Sequence, residues 1–141
     1  MRRCKYGWMI PAIIIIVNVC AIWIRWRALP DVLPAHFDPA GNASGSMAKT
    51  TLIIYPVISI MLCLVTYGIY TLANNIFKLK PDEKGLRICG LHVFATCLAL
   101  TVLSSTMVTL TMGTCPLFMF AEPVLLIAGI TTLIVCLIKA K

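Results

Sequence analysis

The stretch TLIIYPVISIMLCLVTYGIYTLA, residues 51–73, holds 23 residues and not one charge. About 20 consecutive apolar residues in a helix cross a bilayer's hydrocarbon core. Lipid offers no partner to an unpaired backbone N–H or C=O, so a lone crossing segment has to be helical. Three more runs of this kind lie on either side of it. Residues 8–26 carry only Arg25, at the edge, and residues 88–112 are charge-free unless His92 takes a proton. Residues 117–138 contain a single acid, Glu122. The expected fold is therefore an all-α membrane protein: a four-transmembrane-helix antiparallel bundle, one integral membrane domain over residues 1–141.

Composition agrees. The chain is 60% hydrophobic and 12% charged, against about 45–50% and 25% for a soluble domain. A net charge of +7 would suit a nucleic-acid binder, but the cations gather at the ends of the apolar runs, and nucleic acid is not expected as a partner. Arg2, Arg3, Lys5, Lys78, Lys80, Lys84, Arg87, Lys139 and Lys141 fall on one side of the spans, and Arg25, Arg27 and Lys49 on the other. By the positive-inside rule the nine face the cytoplasm. This makes a multi-pass membrane protein with both termini cytoplasmic. Trp8 and Tyr70 then fall at the inner interface and Trp26 and Tyr55 at the outer, as aromatic belts do. A cleaved signal peptide is the weaker reading of the first run, because no small-residue cleavage site follows it. Seven cysteines, an odd number and mostly within spans or towards the reducing side, read as free thiols that pack as small apolar groups.

The outer loop, residues 28–50, runs ALPDVLPAHFDPAGNASGSMAKT. A connection this long in so small a protein is usually functional or disordered. Leu29, Val32, Leu33, Phe37 and Met47 are more apolar than a solvated linker requires. Two Leu-Pro steps hold the chain extended, and Asp38 to Gly45 supply turn residues. An ordered hydrophobic cap on the outer helix ends is expected, with Phe37 buried. Asn42-Ala43-Ser44 also reads as a glycosylation sequon, a motif short enough to recur by chance.

Leu29-Pro30-Asp31, then Leu33-Pro34-Ala35-His36-Phe37-Asp38, then Gly41, Gly45 and Lys49 resemble the signature of a bacterial membrane domain of unassigned function. That domain also forms the N-terminal part of SdpI-like immunity proteins. The resemblance covers roughly residues 8–60, and Pro56 early in the second helix fits it. Ser44 stands where the pattern has Asp, and no counterpart of the second SdpI-like domain is seen. What the resemblance implies is a membrane module whose outer-loop motif (Pro34, His36, Phe37, Asp38, Gly41 and Lys49) serves a ligand or the loop's own fold. A cation at a helix start is disfavoured by the dipole, so Asp31 or Asp38 is expected to offset Lys49. His36 and Asp38 have two readings: turn caps, or a site for a peptide, an ion or a proton.

Polar residues inside spans are the other candidates. An acid at the depth of Glu122 should face protein and find a partner or a proton; Arg25 and Asn18 are the expected partners. Pro123 follows it and either kinks the helix or, if the helix begins at Glu122, is a first-turn proline. A relay role and a structural bridge both fit Glu122. Thr101, Ser105 and Thr109 share a helix face and Ala95 and Ala99 form a small-xxx-small pair, which reads as close helix packing before a water-lined pore. Cys89 and His92, one turn apart, read as packing before metal binding. With no metal or cofactor expected and no catalytic motif, the expectation is a non-enzymatic membrane module that recognises a peptide or envelope ligand, or serves a membrane protein partner as a subunit in membrane lipid. The alternative is a small proton or cation transporter or channel component using Glu122.

Overall fold

The computed structural model describes residues 7–38, 42–77, 81–112 and 116–139, without the side chains of Tyr70, Ala73, Asn74, Phe77, Pro116, Phe118, Met119 and residues 81–84. Gly41 of the motif, Cys4, Cys115 and the Tyr70 side chain thus lie outside the described residues. Four helices form: α1 Met9–Arg25, α2 Ile54–Phe77, α3 Pro81–Leu110 and α4 Pro116–Lys139. Each includes a stretch long and apolar enough to cross a membrane, and the chain is a multi-pass membrane protein. Proline falls in the first turn of every one: Pro11, Pro56, Pro81 and Pro116. There its missing N–H costs nothing, because a helix's first N–H groups have no partner within it.

The helices overrun the apolar runs at several ends. α3 starts at Pro81, seven residues before residue 88, and α2 continues to Phe77. Hydropathy marks what lies in lipid, whereas a helix carries on through the polar interface until something stops it. α4 begins at Pro116, so Pro123 sits inside it. The reading that starts this helix at Glu122 is overturned.

Contacts fix the helix directions. Trp8 meets Tyr67 edge-on at 5.5 Å, so the start of α1 lies beside the later part of α2. Arg25 reaches the Leu110 carbonyl, so α1 and α3 end together. Gly90 faces Cys136 and Gly129 faces Cys97, so α3 and α4 are antiparallel. α3 is the hub, packed against the other three helices, while α4 rests chiefly on α3. Ala95 and Ala99 are fully buried on α3. Small side chains let membrane helices approach closely, which is what binds them where lipid is as apolar as leucine. Most of α4 faces outward, with Leu117, Val124, Ile127 and Ile138 all more than 60% exposed.

The connection between α1 and α2 is ordered as an antiparallel hairpin, β1 Val32–Phe37 and β2 Ala43–Ala48, with Leu33 opposite Met47 and His36 opposite Ser44. A short 3-10 turn flanks it on each side, at Trp26–Ala28 and Lys49–Ile53. Leu29 is extended ahead of Pro30 (φ −85°, ψ 140°), as a residue before proline prefers. Asp38 closes the turn: its N–H donates to the Asn42 carbonyl at 3.0 Å, and it accepts from the Asn42 N–H and Nδ2 at 2.8 Å each. Gly45 has φ +68°, a left-handed value that L side chains avoid.

The cap's packing falls on different residues from the one expected. Leu29 (6% exposed) and Leu33 (1%) join Ile22, Leu52 and Leu110 in the hydrophobic cluster at this end of the bundle. Phe37 is only partly buried, and Val32 is exposed. Alternation turns Val32 out and leaves Leu33 and Phe37 on one face. They differ in position, Leu33 lying near the helix end of β1 within the cluster and Phe37 at the turn end, where it lines a cleft.

Candidate functional site

At the hairpin end a cleft of about 360 Å³ opens between the hairpin and the bundle. β1 lines it with Ala35, His36 and Phe37, α2 with Tyr55, α3 with Ser105, Val108 and Thr109, and α4 with Glu122. Glu122 is the seventh residue of α4, about 9 Å along the axis from its start at 1.5 Å per residue. It is partly buried, and Ser105 Oγ donates to its Oε1 at 2.8 Å. The acid therefore faces protein, as its depth requires. Its partner is a hydroxyl of α3.

Neither expected partner of Glu122 takes that place. Arg25 donates instead to the Leu110 carbonyl at 3.5 Å, at the C-terminal end of α3, where a helix dipole favours a cation. Asn18 is 1% exposed, and both polar atoms of its amide are buried without a hydrogen-bond partner among the described residues. Ser59 of α2 is orphaned in the same way. Lys49 also departs from expectation. Its ammonium donates to the Leu29 carbonyl at 3.0 Å and lies 5.0 Å from the Trp26 ring centroid. A carbonyl and an aromatic face replace the expected carboxylate, and the Lys49 N–H donates to the Asp31 carbonyl at 2.8 Å.

The motif residues thus divide. His36 and Phe37 line the cleft, Asp38 holds the hairpin turn, and Lys49 ties the hairpin's exit to its entrance. Pro34 is paired within the hairpin opposite Ser46. The sequence reading missed Tyr55 and Ser105 as cleft residues. Ser105 carried a signal: it and Glu122 lie at similar distances from the short α3–α4 connection, so an antiparallel pair brings them face to face.

Most hydroxyls of α3 are satisfied within the helix. Thr96, Thr101, Thr106 and Thr109 each donate to the carbonyl four residues back, an arrangement that removes the need for water. Farther from the hairpin, the α3–α4 seam closes tightly. A Cβ on Gly129 would lie 2.9 Å from Cys97 Cβ, and one on Gly90 would lie 2.6 Å from Cys136 Cβ. At the far end His92 (6% exposed) packs edge-on against Trp8 at 4.7 Å, whereas Cys89 is exposed. These two do not converge. Among the described residues no group of three His, Cys, Asp or Glu is placed to hold a metal.

Residues 13–60 match the family model of a domain of unknown function, DUF1648. The DUF1648 stretch covers most of α1, the whole hairpin and the start of α2. It therefore contributes His36, Phe37 and Tyr55 to the cleft, while Ser105, Thr109 and Glu122 lie beyond it. No curated protein and no solved structure matches the chain.

Proposed function

We propose that this chain is a non-enzymatic recognition module of a bacterial cytoplasmic membrane, its hairpin facing outward. The cleft takes a cationic side chain of a peptide or envelope ligand. The carrying observation is the Glu122 carboxylate, held by Ser105 in a cleft open at the hairpin and walled by Phe37 and Tyr55. Pockets of 300–1,000 Å³ hold small ligands when a few polar groups converge within apolar walls. About 360 Å³ suits one long side chain. An arginine offers five donors to a carboxylate and stacks on aromatic rings, so it fits this set best. The SdpI-like resemblance of the hairpin motif supports the same direction, an immunity-type module that holds a peptide at the membrane's outer face.

The cation-relay reading rests on one feature, that a single cleft joins Glu122 to His36 and the hydroxyls of Ser105 and Thr109. Two features oppose it. The α3–α4 seam beyond Glu122 is closed at Gly129–Cys97 and Gly90–Cys136, and no other acid stands in the apolar spans. Close α3–α4 packing beyond Glu122 favours holding a group in the cleft over passing it on.

The test is a pair of short hydrophobic peptides differing only in arginine against citrulline, its neutral isostere, titrated against the protein in lipid nanodiscs. Recognition at Glu122 gives the arginine peptide at least about ten-fold tighter binding, the equivalent of 1.4 kcal/mol, and Glu122→Gln erases the preference. Equal binding of both peptides by the unmodified protein overturns the reading.

A further inference from the structure

A second concavity lies between the outer parts of α1 and α2, lined by none of the residues of the Glu122 cleft. It is an apolar groove of about 520 Å³ lined by Val19, Ile22, Trp23, Trp26, Val57 and Ile60, among others. A second hollow of about 510 Å³, formed by Trp23, Ile24, Trp26 and Arg27, shares both indole walls with it. Aliphatic groove, tryptophan shelf and cation therefore follow one another along the membrane normal. That order is the order of a phospholipid: acyl chain, glycerol region, phosphate.

The three cations at this end are in different states. Arg25 is engaged by the Leu110 carbonyl and Lys49 by the Leu29 carbonyl and the Trp26 ring. Arg27 is exposed and makes no hydrogen bond or ion pair among the described residues. Trp23 is 81% exposed although it is the bulkiest apolar group on α1. Indoles with one apolar edge and one N–H settle at the headgroup level. A helix from another protein is a poor occupant: at about 10 Å across and 1.5 Å rise per residue, about four of its residues would fill the groove.

We propose that the α1–α2 groove and Arg27 form a binding site for an anionic glycerophospholipid of the leaflet on the hairpin side. One acyl chain lies along Ile22, Val57 and Ile60, the glycerol region rests on Trp23 and Trp26, and the phosphate pairs with the Arg27 guanidinium. Arginine forms bidentate bonds to phosphate, and a single cation near an anionic lipid surface favours it by about five-fold. This site is separate from the Glu122 cleft and does not depend on how that cleft is used.

The experiment uses the intact protein in vesicles of unbrominated phosphatidylcholine. Increasing fractions of brominated phosphatidylglycerol, or of brominated phosphatidylcholine, are added and tryptophan fluorescence is recorded. Half-maximal quenching should come at about five-fold lower mole fraction of the anionic lipid. Arg27→Gln, which removes an exposed and unbonded side chain, should bring the two curves together. Val57→Phe should shift both to higher fractions by occupying the groove. Coincident curves for the unmodified protein, or a difference that survives Arg27→Gln, overturn the proposal. So does a disulfide-linked dimer through Val57→Cys accompanied by coincident curves, which would place a second copy of the chain in the groove.

Discussion

Ser105 on α3 donates its hydroxyl hydrogen to Oε1 of Glu122 on α4 across 2.8 Å, a bond between two side chains that joins two spanning helices. In lipid such bonds contribute about 0.6 kcal/mol on average and up to about 1.7. Ser105→Ala should lower the unfolding free energy in detergent by about 1 kcal/mol. A double-mutant cycle with Glu122→Ala should return a coupling of about 0.5–1.5 kcal/mol. Strict additivity would mean that the two side chains do not meet.

The α3–α4 seam depends on two glycines that receive cysteines from the facing helix, Gly90 opposite Cys136 and Gly129 opposite Cys97. The reciprocity means that neither helix can rotate without closing one contact and opening the other. Gly90→Leu and Gly129→Leu should each destabilise by about 1–3 kcal/mol or more, as overpacking does. Gly68→Ala, at a helix position with nothing within 4 Å of an added Cβ, should instead be neutral or stabilising by up to about 1 kcal/mol. Thermal unfolding in one detergent compares all three.

In the hairpin, stability and recognition are carried by different residues. Leu33, 1% exposed in the hydrophobic cluster, should cost about 2–5 kcal/mol when cut to alanine. Phe37, only partly buried in the cleft wall, should cost about 1 kcal/mol and act mainly on ligand affinity. Gly45→Ala forces a side chain into φ +68° and should cost about 1 kcal/mol. Limited proteolysis at the hairpin, measured beside unfolding, should rank the three variants in the order Leu33, then Gly45 and Phe37 together.

Much of the fold could be read from the sequence because lipid imposes it. Four charge-free or nearly charge-free runs leave few alternatives once every backbone group must be bonded internally. The ordered cap was also legible, from apolar residues and Leu-Pro steps where a linker would be polar. Its hairpin was not, because Pro34 and Gly45 weaken the strand signal. Which apolar residue is buried turned on position along β1: Leu33, near the helix end, packs into the cluster, while Phe37, on the same face at the turn end, lines the cleft. Charge and polarity within the spans point to Arg25 and Asn18 as partners of Glu122. In the bundle the partner is set by helix rotation, which brings the serine of the hydroxyl face to the acid and leaves Arg25 at the end of α3.

Sidedness rests on nine Lys and Arg against three. A single cysteine introduced at Asn42 in a cysteine-free variant should react with an impermeant maleimide applied from outside intact cells, and one at Asp82 should react only after permeabilisation. The reverse pattern would turn the hairpin cleft towards the cytoplasm and remove an outer ligand.

Glu122 decides between holding a ligand and passing a cation. The most direct measurement reconstitutes the unmodified protein and Glu122→Gln in proteoliposomes and records proton and monovalent-cation flux beside arginine-peptide binding on the same preparations. A binding cleft predicts background flux from both proteins, with the arginine preference present in the first and absent in the second. Flux above background that disappears in Glu122→Gln, with its thermal unfolding unchanged, would contradict the recognition reading and establish the relay.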